Sequence, residues 1–198
     1  MKFIATDVDD SIEKIAAMVK AEQARPDYAI DSYFYRSHLV YEKELENLVF
    51  RSWLYAGHVS EVPNPGDYLL FDIGEDSVII VRDKAGEVQA LMNVCCHRGA
   101  RVCEAQSGNR KTFVCPYHGW VYNTDGSLKA AREMEARADF DVTDYGLKKA
   151  RILVYMGLIF INCDPHAADF LGPLSNLAQP LGAYDLEHAK VAHKHTYK

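Results

Sequence analysis

The sequence predicts a mainly β protein with flanking helices, an α+β chain centred on an antiparallel β-sandwich. Three observations carry that expectation. Helical periodicity is strong only in the stretch before Trp53. From Trp53 onward, short β-rich runs alternate with turns built on Gly, Pro, Asn and Asp, the pattern of a small sandwich or barrel. The composition, 48% hydrophobic and 25% charged over 198 residues, suits a soluble globular chain long enough to bury a core.

Residues 9–25 read as the first helix. Ile12, Ile15, Ala16 and Val19 recur at i, i+3, i+4 and i+7, Asp10 or Ser11 can cap the start, and Pro26 ends the pattern. A second helix is expected over 41–52, with Leu45, Leu48 and Val49 as its apolar stripe and Glu42, Lys43, Glu44 and Glu46 on a solvated face. Strands follow at Trp53–Val59, Tyr68–Ile73, Val78–Arg82 and Val88–Asn93. They are punctuated by Pro63-Asn64-Pro65-Gly66, Gly74–Asp76 and Lys84-Ala85-Gly86. Beyond Cys95 the strands become irregular: Thr112–Val114, Trp120–Asn123, a turn at Asp125-Gly126, then Leu147–Tyr155 and Leu158–Asn162. The charged stretch 128–145 reads as loop with a helical turn. The segment 167–178 reads as a short helix, and Ala189–Tyr197 alternates like a strand with Val191, His193 and His195 on one face. The expected division is a helical segment over 1–52, a β domain over 53–165 and the start of a further domain over 166–198.

Net charge is −6 at pH 7 and the pI is near 5.7. Nucleic-acid and anionic-membrane binders need a basic footprint, so neither partner is expected. The longest apolar run, Ile152 to Ile161, contains Gly157 and is too short to span a bilayer; it reads as buried strand. Lys2 is followed by Asp7, Asp9 and Asp10 without an apolar stretch, so no secretory or transit signal is read and a cytoplasmic location is expected. His38, His58 and His166 read as ordinary surface residues. The five cysteines are Cys95, Cys96, Cys103, Cys115 and Cys163. An odd, clustered set in a reducing compartment points to metal binding rather than to disulfides.

Cys95-Cys96-His97 and Cys115-Pro116-Tyr117-His118 carry the chemistry: Cys-x-His, seventeen residues, then Cys-x-x-His. Thiolate favours zinc, Cu(I) or iron–sulfur clusters, and imidazole accepts zinc, copper or iron. A structural zinc site needs four ligands in a tetrahedron around one ion, commonly from a Cys pair followed by a His pair. Here each half holds one Cys and one His, and the first half is separated by a single residue. That spacing is tight for one ion. It suits a dinuclear centre in which each loop gives its Cys to one iron and its His to the other.

Asn93-x-Cys95-x-His97-Arg98-Gly99 together with Cys115-Pro116-Tyr117-His118-Gly119-Trp120 resembles the Rieske non-heme iron oxygenases of the aromatic-ring-hydroxylating type. Trp53, the Pro65-Gly66-Asp67-Tyr68 turn and Tyr122-x-x-Asp125-Gly126 fit the same family, so the resemblance runs from about 33 to 165. It implies a β-sandwich Rieske domain with a small cluster-binding subdomain. It also implies a [2Fe–2S] cluster whose inner iron is held by Cys95 and Cys115 and whose outer, redox-active iron is held by His97 and His118. Neutral imidazoles in place of two thiolates make such a cluster easier to reduce, with potentials of roughly −150 to +300 mV against about −400 mV for plant-type ferredoxins. Gly99 and Gly119 are expected to let the loops approach the cluster closely, and Trp120 to pack beside it. Rieske proteins of the cytochrome bc complexes carry an extra pair of loop cysteines joined by a disulfide. Tyr117 and Gly99 or Ala100 stand there instead, so no loop disulfide is expected. Cys96, Cys103 and Cys163 read as packed thiols, and Arg98 as either a docking residue or one half of a surface salt bridge.

The family implies a second site, a mononuclear Fe(II) on two histidines and a carboxylate, with the pattern Asp-x2-His-x4-His. Asp185, His188 and His193 share that spacing. Leu181 stands where the family has an acidic residue, no Asn-Trp-Lys run precedes it, and the third ligand lies much further along in the family. The three residues are therefore read as ordinary, and the mononuclear site as belonging to a catalytic domain beyond this chain. The implied role is the electron-relay portion of an oxygenase α subunit, fed by a reductase or ferredoxin and assembled as a homotrimer or αβ oligomer. The 198-residue chain alone is expected to lack oxygenase activity. A stand-alone Rieske ferredoxin and a zinc-stabilised binding module are the alternatives.

Overall fold

The computed structural model describes residues 10–134, 137 and 139–195. The chain divides into two compact units, Met1–Arg51 and Ser52–Lys198.

In the first unit, helix α1 (Ile12–Gln23) starts where the Ser11 hydroxyl accepts the Lys14 N–H at 3.1 Å. It is shorter than 9–25, and its apolar stripe buries no residue completely. Helix α2 (His38–Asn47) begins three residues before the expected 41, because Ser37 is the true cap: its hydroxyl accepts the Val40 N–H at 3.0 Å. A 3-10 turn, Val49–Arg51, replaces the end of the expected helix. The Asp10 carboxylate ties the unit together by accepting from the Ser37 and Tyr33 hydroxyls and from the Leu39 N–H. These bonds, that from Ser37 foremost, lower its pKa.

The second unit holds ten strands: β1 (Leu54–His58), β2 (Asp67–Ile73), β3 (Asp76–Arg82), β4 (Val88–Met92), β5 (Ser107–Asn109), β6 (Thr112–Val114), β7 (Val121–Asn123), β8 (Leu128–Ala130), β9 (Arg151–Tyr155) and β10 (Leu158–Asn162). They form three antiparallel sheets, in the orders β1-β10-β9, β4-β3-β2-β5 and β6-β7-β8. The chain entering β9 bonds along β4 through Met92 N–H to Lys148 O and Ala150 N–H to Ala90 O, which continues the first sheet into the second. Strand β3 is covered on both faces, with Val78, Ile79, Ile80 and Val81 all buried. One core joins Tyr68, Leu70, Ile79, Val81 and Leu91 of the large sheet to Phe113, Tyr122 and Leu128 of the small one.

The departures from expectation have local causes. Strands β5 and β8 depart from the expected pattern, because β5 has no apolar side chain and β8 is three residues at the head of a charged stretch with Leu128 alone buried. Strand β5 is Ser-Gly-Asn, all exposed, and exists by backbone pairing with β2. The run Ile152 to Ile161 is a hairpin of the two strands expected at Leu147–Tyr155 and Leu158–Asn162, the first of which starts only at Arg151. Met156 (φ 51°) and Gly157 (φ 78°) turn it, the two positive φ values of a two-residue hairpin loop, and β9 is only half-buried. The expected helix over 167–178 is two shorter ones, α3 (Leu171–Ser175) and α4 (Ala178–Leu181). Residues 189–195 form no strand, and the Val191 N–H bonds the Ser60 hydroxyl instead of a neighbouring strand; residues 196 and 197 lie outside the described set. His58 is not a surface residue. It is 4% exposed and caps the 3-10 turn Val59–Glu61, while its Nε2 contacts Leu186 O at 2.9 Å. No helix among the described residues is long and apolar enough to cross a membrane.

The His58 ring lies against Gly157, so a Cβ on residue 157 would overlap Nε2 as well as force a side chain to φ 78°. Gly157→Ala is expected to destabilise the fold by about 2–4 kcal/mol, from left-handed strain plus overpacking. An unchanged urea midpoint would contradict this.

Candidate metal centre

Two loops meet at the junction of the large and small sheets. The first leaves β4 and carries Cys95, Cys96 and His97. The second joins β6 to β7 and carries Cys115 and His118. Both use one backbone pattern. The Cys95 N–H donates to Ala100 O at 2.8 Å and the Gly99 N–H returns to Cys95 O at 2.9 Å; the Cys115 N–H donates to Trp120 O at 2.8 Å and the Gly119 N–H returns to Cys115 O at 3.0 Å. Gly99 (φ 75°) and Gly119 (φ 72°) each close the turn in the left-handed region. No protein atom lies within 4 Å of a Cβ built at either glycine. The left-handed backbone alone calls for glycine at both positions.

Asn93 fixes the first loop from beneath. Its Oδ1 accepts the Val102 and Cys103 N–H groups at 3.0 and 2.9 Å, and its Nδ2 donates to Ser77 Oγ and Cys103 O. Tyr122 on β7 reaches across from the second loop's strand. Its hydroxyl accepts the Cys96 N–H at 3.2 Å and lies 3.1 Å from Cys95 Sγ. Burial, then the neighbouring Cys95 sulfur, pushes the phenol pKa far upward, so the oxygen keeps its hydrogen and can donate it to the sulfur. Cys96 turns away, its Sγ donating to Gly146 O at 2.9 Å.

Cys95 and Cys115 are each 2% exposed and belong to the core. Their sulfurs are close enough to interact, and burial raises the Cys95 pKa. The two imidazoles lie further out, half-buried, with centroids 4.5 Å apart and planes at 71°. Burial is the main reason that the His97 pKa is lowered; His118 and Arg98 add to the effect and Glu133 opposes it. His97 stacks parallel on Trp120, and Tyr117, 60% exposed, overlies His118. Arg98 is exposed beside His97.

His97 Nδ1 and His118 Nδ1 are both buried, and neither has a hydrogen-bond partner. A buried nitrogen lone pair without a partner is costly, and here two such atoms belong to adjacent rings. Metal coordination would satisfy both. Among the described residues no three His, Cys, Asp or Glu side chains converge on one ion position. Two buried sulfurs inside and two partnerless nitrogens outside fit a dinuclear centre with two ligands per iron. Cys103 is buried, Cys96 and Cys163 are half-buried, and no disulfide joins any of the five cysteines. Asp185 and His188 pair at 2.8 Å on the surface. That bond raises the His188 pKa, and His193 does not complete a set of three.

The sequence signals missed two parts of this site. Tyr122 was noted only as part of a longer motif, and nothing in a linear pattern indicates that a hydroxyl returns to Cys95 from 27 residues away. Phe140 and Tyr145, which pack on Trp120, lie in the charged stretch that reads as loop.

Comparison with known proteins agrees with this geometry. The Rieske [2Fe–2S] domain family matches residues 52–149. The alpha subunit of biphenyl 2,3-dioxygenase from Rhodococcus jostii is 43% identical over 141 residues, covering 71% of this chain and 31% of that protein. The oxygenase subunit of glycine betaine monooxygenase from Pseudomonas aeruginosa is 38% identical over 168 residues, covering 83% and 38% respectively. The chain thus spans about a third of the length of these curated relatives. Among solved structures, naphthalene 1,2-dioxygenase from Rhodococcus sp. superposes with a TM-score of 0.75 at 33% identity, over 86% of this chain and 40% of that one. The apo form of a quaternary ammonium Rieske monooxygenase gives 0.76 at 31% identity, over 86% and 51%. Residues 52–149 are therefore a Rieske [2Fe–2S] domain, and the chain that carries it is related to the alpha subunits of Rieske oxygenases.

Proposed function

We propose that Cys95 and Cys115 hold the inner iron and His97 and His118, through Nδ1, the outer iron of a Rieske cluster, and that the chain is the electron-relay portion of an oxygenase. The two partnerless buried nitrogens set against two buried sulfurs carry this reading. A bound [2Fe–2S] cluster supplies one-electron exchange. The protein's own residues do the rest. The core around Cys95 and Cys115 keeps water from the sulfurs. Tyr122 stabilises negative charge on Cys95. His97 and His118 present their outer ring edges toward the surface, where an electron can enter or leave.

In this proposal a reductase or ferredoxin donates the electron, and a mononuclear iron of the full oxygenase receives it to activate O2 for ring hydroxylation or oxidative demethylation. Residues 1–52 form a helical lead-in, 53–165 the Rieske domain and 166–198 the approach to the catalytic domain. The working assembly is a homotrimer or αβ oligomer in the cytoplasm. Similarity to the glycine betaine enzyme extends over 168 residues, past the limits of 52–149, which favours an oxygenase over a stand-alone ferredoxin carrier.

Low-temperature EPR of the dithionite-reduced protein, with iron and acid-labile sulfide analysis, tests the centre. A rhombic signal with two irons per chain is the expected result. A silent, colourless protein holding one zinc would overturn it.

A further inference from the structure

We infer that Phe140 and Tyr145 are positioning residues for His97, acting through Trp120; the inference rests on the cluster reading above. The His97 imidazole and the Trp120 indole are parallel, with centroids 4.8 Å apart and planes at 7°. Trp120 is 1% exposed. Phe140 and Tyr145 each meet it edge-on at 5.7 Å, with planes at 72° and 83°, and stack on one another at 4.6 Å and 25°. This offset and edge-to-face geometry is what aromatic quadrupoles favour. A wedge of three rings thus backs one face of one imidazole.

The wedge comes from a separate loop that is itself pinned. The Asp141 carboxylate accepts the Thr143 N–H at 2.9 Å and its hydroxyl at 2.7 Å, which starts the 3-10 turn Val142–Tyr145. Gly146 O accepts from Cys96 Sγ, and the Leu147 N–H donates to Gly126 O at 2.8 Å. The first ligand loop and the wedge loop therefore hold one another. His118 has no such support, since the ring over it, Tyr117, is largely exposed.

The His97 imidazole can turn about the bond that joins its ring to Cβ, and such a turn swings Nδ1 away from a fixed position. Parallel stacking on a fixed indole removes that freedom for His97. Plain core packing makes a different prediction, namely lost stability with no change at the metal. The two are separated by Phe140→Leu and Tyr145→Leu in the cluster-loaded chain, with Tyr145→Phe as the conservative variant and Ile79→Ala, on β3 of the large sheet, as a core control. The inference expects broadened rhombic EPR lines and roughly tenfold faster cluster release for both leucine variants, the lower end of what ligand-orienting partners contribute to metal affinity. Tyr145→Phe is expected to restore the wild-type spectrum and Ile79→Ala to lower thermal stability without broadening. If Phe140→Leu does not fold, Tyr145→Leu and Trp120→Phe carry the same readouts. Leucine variants with wild-type line shape and release rate, destabilised only as Ile79→Ala is, would overturn the inference. Absence of a Rieske signal in the wild-type chain would instead overturn the cluster reading.

Discussion

Cys115→Ser empties the centre: iron and labile sulfide fall to background and visible absorbance disappears. Serine is a hard alcohol that does not ionise near neutral pH, whereas the site needs a soft thiolate. The position offers no substitute donor, since Cys115 sits at 2% exposure between Phe113 and Trp120 in the core. Serine there also becomes a buried hydroxyl, at a cost of about 1–3 kcal/mol if it finds no partner. The large sheet should persist, because β2, β3 and β4 pair along their length and β3 also buries Val78 and Ile80, which lie outside the core shared with the ligand loops. Cys103→Ser is the matched control. Cys103 is 5% exposed and lies in the same core, yet it is not aimed at the centre, so this variant keeps two irons. Iron retained by Cys115→Ser, or lost equally from both variants, would remove Cys115 from the ligand set.

Tyr122→Phe keeps the cluster and lowers its midpoint potential. Tyr122 OH accepts the Cys96 N–H, which directs its own hydrogen toward Cys95 Sγ at 3.1 Å. A donor at a ligand sulfur stabilises the more negative, reduced state more than the oxidised state. If the difference is about 1 kcal/mol, a typical net hydrogen bond, the one-electron potential falls by roughly 40 mV. The phenol pKa is pushed upward by burial and by Cys95, so the donor persists across the neutral range. Redox titration followed in the visible spectrum measures the shift. An unchanged potential with an intact EPR signal would mean that this hydroxyl does not donate to the ligand.

The ligand spacing was legible because chelation fixes residue types within a few positions of one another. The strands from β1 to β4 were legible as short β-rich runs bounded by turn residues, β3 being a continuous apolar run buried on both faces. Strand β5 was not, because Ser107, Gly108 and Asn109 have no buried side chain and pair through backbone alone. The start of α2 was misplaced because Ser37, the residue that caps it, gives a short-range signal weaker than the apolar stripe further on. Gly99 and Gly119 are legible as turn residues, and their positive φ values give the backbone reason for glycine there. His58 was misread because a lone histidine carries no periodicity, and its burial depends on Gly157 and Leu186, far away in sequence. The wedge on Trp120 depends on a loop whose described charged residues face solvent while Phe140 and Tyr145 pack against the core.

Among the described residues, buried cysteines behind and half-buried histidines in front open the centre on its histidine side. A chelator, an oxidant or an electron donor therefore meets His97, His118 and the exposed Tyr117 before the sulfurs. Traffic and damage then share that side, and any protein seated there to exchange electrons also shields the cluster from attack while it stays.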